Sequence, residues 1–142
     1  MQFPLGKKKK FLRLGSAIVS LLASTISFAC NDLQRFYDAL ESDPTAVVEN
    51  LDAILAECYT NSEYFGLLGA AYLRLGDLLR ALESIERALL LDPGNGSAAV
   101  DFAEVLYRQG QLISAIEINS QLLSRSDLPE DLREAISARQ SR

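Results

Sequence analysis

Apolar residues recur at helical intervals through most of the chain beyond residue 32. Phe65, Leu68, Tyr72 and Leu75 fall three and four apart, which puts them on one face of a predicted helix. Gly76 permits the positive-φ turn that ends such a helix, and Asp77 can cap the one that follows. In that second helix Leu78, Ala81, Leu82, Ile85, Ala88 and Leu89 make an apolar stripe, and Asp92-Pro93-Gly94-Asn95 stops it. Thr60 with Glu63 fits a capping box ahead of the pair.

The same pattern then returns in the next stretch of chain. Residues 62–95 set above residues 96–129 give identities at Arg74/Arg108, Gly76/Gly110, Leu78/Leu112, Ala81/Ala115, Glu83/Glu117 and Leu89/Leu123. Leu68/Phe102, Gly69/Ala103, Leu79/Ile113 and Leu82/Ile116 are chemically similar pairs. Each unit reads as two antiparallel helices.

The unit resembles the tetratricopeptide repeat. Residues 62–95 supply that family's pattern as Phe65, Leu68-Gly69, Tyr72, Gly76-Asp77, Ala81, Ile85, Ala88 and Pro93. Residues 96–129 keep Phe102, Ala103, Leu106, Gly110 and Ala115, and depart from it at Ala99, Asn119 and Leu122. The resemblance implies an all-α fold, a right-handed superhelical stack of antiparallel helix pairs forming a solenoid. Gly69 and Ala81 stand where the helices of the pair would cross, so a larger side chain would push them apart.

Residues 30–61 keep the rhythm without the signature. Leu33, Phe36, Tyr37 and Leu40 suggest one helix, and Asp43-Pro44 begins a second, running to residue 58. Val47, Val48, Leu51, Ile54 and Leu55 would line its buried face. Val47 takes the place of the small alanine, so the segment reads as a degenerate N-terminal hairpin. At the other end Pro129 opens residues 130–142, a capping helix with Leu132 and Ile136 on one face.

Residues 1–29 stand apart. Lys7-Lys8-Lys9-Lys10 holds every lysine of the protein, and Leu14 to Ala29 is uncharged and apolar. A basic head, an apolar middle and Ser27-Phe28-Ala29 at its end are the parts of a secretory signal peptide cut after Ala29. An uncleaved anchor is the alternative, although Leu14–Ala29 falls short of the roughly 20 residues that span a bilayer. The leader takes five of the fourteen basic residues and no acids. Nine arginines then face nineteen acids, which leaves residues 30–142 with a net charge near −10. Such a domain repels phosphate backbones, so nucleic acid is not an expected partner.

Export bears on the two cysteines, Cys30 and Cys58. If residues 32–41 and 44–58 form a helical hairpin, both cysteines lie at one end of it, and an oxidising compartment would permit a bridge. Two alternatives stand beside the bridge: two unconnected thiols, or lipid attachment at Cys30, for which Ser27 and Phe28 match the lipoprotein box poorly. A membrane partner is expected only with lipidated Cys30 or a retained leader.

Histidine is absent and catalytic constellations are missing, so no enzyme activity, cofactor or metal is expected. By the resemblance, a protein or peptide partner lies in a concave groove formed by the first helix of each pair. Its residues would be Glu63, Gly66, Leu67, Ala70, Leu73 and Arg74, then Ser97, Val100, Asp101, Glu104, Tyr107 and Arg108. Arg74 and Arg108, one repeat apart, suggest a ladder for peptide carboxylates, with pairing to local acids as the alternative. Leu67, Ala70, Leu73, Val100 and Tyr107 suggest an apolar strip for an amphipathic helix. Asn95-Gly96-Ser97 matches a glycosylation sequon, read as coincidental. The expected function is an exported adaptor, periplasmic or associated with the cell envelope. The alternative is a repeat module of an outer-membrane β-barrel or envelope-assembly protein.

Overall fold

The computed structural model describes residue 30 and residues 32–141, so the signal-peptide reading of residues 1–29 falls outside the described residues. Among the described residues every regular element is a helix: α1 (Gln34–Ala39), α2 (Pro44–Asp52), α3 (Leu55–Cys58), α4 (Ser62–Leu75), α5 (Leu78–Leu91), α6 (Gly96–Arg108), α7 (Leu112–Ser124) and α8 (Glu130–Gln140). Helices α4 and α5 pack as an antiparallel pair, α6 and α7 as a second, and α8 lies against α6.

The helix ends follow from local chemistry. Asp43 and Asp77 accept hydrogen bonds from the amides of Ala46 (3.0 Å) and Arg80 (3.1 Å) and so start α2 and α5. Asn61 and Asn95, one repeat apart, do the same for α4 and α6 through the amides of Tyr64 (2.8 Å) and Ala98 (3.0 Å). The cap of α4 is therefore Asn61 and not the expected Thr60–Glu63 box. Gly76 and Gly110 end the first helix of each pair at φ 77° and 80°, the left-handed conformation that favours glycine.

Burial selects one face of each helix. The main core joins Phe36, Leu40, Val47, Leu51, Tyr64, Leu67, Leu73, Ile85 and Val105, and a smaller one joins Val100, Leu122, Leu128 and Ile136 under α8. Tyr64 is enclosed completely, and its hydroxyl donates to the Leu51 carbonyl at 3.0 Å, tying α4 to α2. Periodicity had favoured Phe65, which is half-buried with its ring edge-on to Tyr64.

The segment 44–58 departs from the expected single helix. It breaks at Ala53-Ile54, and the short α3 is rephased, so Leu55 faces solvent while Cys58 is fully buried. Cys58 is disulfide-bonded to Cys30, with the Cα atoms 5.5 Å apart.

Candidate partner-binding surfaces

The first helix of each pair contributes a face on which the expected groove residues divide into two sets. Leu67, Ala70, Leu73 and Val100 are not a free apolar strip. All four are buried in the stack, because each first helix is covered by the helices next to it. Tyr107 alone of the five stays largely exposed. The polar set, by contrast, comes together.

Arg74 places Nε and Nη2 on one oxygen of Glu41, at 2.7 and 2.6 Å. Arg108 places Nε 2.7 Å from Glu104 and donates through Nη1 to the carbonyl of Leu73 at 3.0 Å, bridging α6 to α4. The reading of these two arginines as a free carboxylate ladder is thereby corrected. Each guanidinium already has an anionic partner, and Arg108 also satisfies a backbone oxygen at the end of α4.

Sequence reasoning missed Arg139, which completes the network from α8. Its guanidinium lies 3.7 Å from Asp101 and 3.6 Å from Glu104, and donates to the Val100 carbonyl at 3.2 Å. Burial raises the Asp101 carboxyl above its ordinary range, against the attraction of Arg139 and then Arg74. Tyr37 on α1 joins the same face. Its hydroxyl is pushed up to about 12, first by burial and then by the charges of Glu63 and Asp101. Glu63 itself is exposed and has no ion-pair partner among the described residues.

A second feature lies at the end of the stack. A cavity of about 370 Å³ opens between α6 and α7. Ala103, Glu104 and Tyr107 come from α6, Ala115, Ile116 and Asn119 from α7, and Arg139 and Gln140 from α8. Its signal in the sequence was available: setting residue 130 as the start of a third unit puts Arg139 where the two units before it have Ala71 and Val105.

The sequon resolves as structural. Asn95 of the sequon uses its side-chain amide to reach Ser62 Oγ at 2.8 Å, while Ser62 donates to the Ala88 carbonyl at 2.9 Å. The turn is a tether between the units. Among the described residues no group of three His, Cys, Asp or Glu is placed to hold a metal, and no helix is long and apolar enough to cross a membrane.

Comparison with known families agrees with this architecture. Residues 72–137 match the family model of the tetratricopeptide repeat, from the last turn of α4 into α8. Over those residues the paired helices are tetratricopeptide repeats. Such repeats typically bind proteins or peptides and generally act as non-enzymatic scaffolds. No curated protein matches the chain.

Proposed function

We propose that this chain is an exported, non-enzymatic adaptor that holds a protein or peptide partner on the concave face made by the first helix of each pair. The observation that carries the reading is the charged network there. Glu104 pairs with Arg108, Asp101 and Glu104 face Arg139, Arg74 pairs with Glu41, and Glu63 acts with Asp101 on Tyr37 from the same face. With the arginines already engaged, and Glu63 exposed and without an ion-pair partner among the described residues, a basic segment of the partner suits this face better than a carboxylate. A photo-crosslinking residue at position 63 should give a discrete adduct in the expressing host, and one at exposed Glu83 on α5 should not. Equal adducts, or none at position 63, would overturn the groove reading.

Export is supported by the leader pattern of residues 1–29 and by the Cys30–Cys58 disulfide, which suits an oxidising compartment. A Cys30 sulfur bonded to Cys58 is also not free to carry a lipid thioether. The intact mass of protein recovered from the cell envelope should equal residues 30–142, lighter by two protons before reduction. A full-length or acylated mass would refute the proposal of a cleaved, periplasmic chain. Reduction should cost about 3.5 kcal/mol in the loop-entropy picture for a separation of 28 residues, read as a drop in unfolding midpoint.

A further inference from the structure

We infer that the cleft between α6 and α7, which adjoins the concave face and shares Glu104, Tyr107 and Arg139 with it, is a second binding site, for an amphipathic helix of a partner protein. The repeat itself shows what such a cleft holds. Its counterpart in the first unit is formed by Gly69, Leu73, Ala81, Leu82 and Ile85, and it is closed. It is closed because α6 packs over α4 and α5 and puts Val105, wholly enclosed, into the same core. Phe102 packs against that core one turn earlier.

In the second unit the helix that follows is α8. Leu132 and Ile136 fill the near half of the track, but the Val105 position is Arg139, which turns to Asp101 and Glu104 instead. The far half stays open. Tyr107 is 54% exposed where Leu73 is 1%, and Ile116 is 56% exposed where Leu82 is half-buried. The opening continues an interface the molecule already uses, so its occupant must offer what α6 offers: two apolar side chains one helical turn apart. Glu104 in the wall and Glu117 beside Ile116, in a strongly acidic domain, favour Lys or Arg on the flanks of that helix.

The probe is a fluorescein-labelled peptide of residues 96–109, the sequence of α6, titrated against the chain as recovered from the host and read by anisotropy. It should bind, and Val105→Asp in the peptide should weaken binding about tenfold, the loss expected from one buried aliphatic side chain. A peptide with Asp101 and Glu104 replaced by Lys should bind more tightly, with the advantage shrinking at high salt. In the protein, Ile116→Glu should cost about tenfold, while Ile113→Glu, more exposed on the same helix and outside the cleft, should change affinity less than about twofold. Gln140→Trp should weaken binding by filling the cleft from within, and decides the matter if Ile116→Glu loses its helical circular dichroism. No binding, equal losses at Ile113 and Ile116, or a concentration-dependent dimer that Ile116→Glu dissolves would each overturn the inference. Because Ile116 lies outside the concave face and Glu63 outside the cleft, the failures of the two proposals are distinguishable.

Discussion

Residues 62–91 and 96–124 are one unit written twice, yet the same positions meet different surroundings. In the first, Leu67, Leu73 and Ile85 are sealed into the core; in the second, Asp101, Tyr107 and Asn119 stand in their places beside solvent or a charged neighbour. A repeat's surface is set less by its own pattern than by the helix stacked on it. The first unit has α6 with Val105 above it, and the second has α8 with Arg139.

The largest effect that should separate the units is a truncation at repeat position 24. Ile85→Ala should cost about 3–4 kcal/mol, whereas Asn119→Ala should stay within about 0.5 kcal/mol in urea unfolding. Similar losses would break the comparison. Next comes the helix crossing. A Cβ on Gly69 would sit 2.5 Å from Ile85 Cγ1 and 3.3 Å from the Ala81 carbonyl, while the second unit carries Ala103 there without difficulty. Gly69→Ala should therefore destabilise by about 2 kcal/mol, and by clearly less in an Ile85→Ala background, where the nearest obstacle is gone. A cost unchanged by that background would place the constraint in the backbone alone.

Tyr64→Phe should cost about 1 kcal/mol, the loss of one buried hydrogen bond, since the Leu51 carbonyl keeps the bond it accepts from the Ile54 amide; the second unit has Ala98 at that position and nothing comparable to lose. The smallest effect is a matter of pH. Burial makes the folded Asp101 carboxyl hold its proton more tightly than the unfolded one, so its contribution to stability is present below the unfolded value and lost as pH rises through the folded one. Asp101→Asn should thus gain on the wild type as pH rises from below the ordinary carboxylate range through neutral. The reverse trend in a pH series of melting temperatures would mean that the ties to Arg139 and Arg74 outweigh burial.

Local signals made much of the fold legible. Gly76 and Gly110 had to end helices, Asp43 and Asp77 had to begin them, and the repeat period paired them. Where local reading failed, a nearby residue competed on equal chemical terms. Asn61 won the cap from Thr60, and Tyr64 won the core from Phe65, its hydroxyl donating to the Leu51 carbonyl on α2. The break at Ala53-Ile54 carried no glycine or proline to announce it.

By itself the sequence determined helices, turns and the repeat frame, because caps, φ preferences and apolar period act over a few residues. Which groups were left to meet a partner was decided only in three dimensions. Arg74 and Arg108 bear the same charge at the same repeat position, yet one turns to Glu41 before the first unit and the other to Glu104 and the carbonyl of Leu73. Arg108 and Leu73 lie far apart along the chain, and nothing in the local pattern encodes the distance between them. The open cleft has the same cause: Ile116 repeats Leu82 in type, and the helix above each one differs.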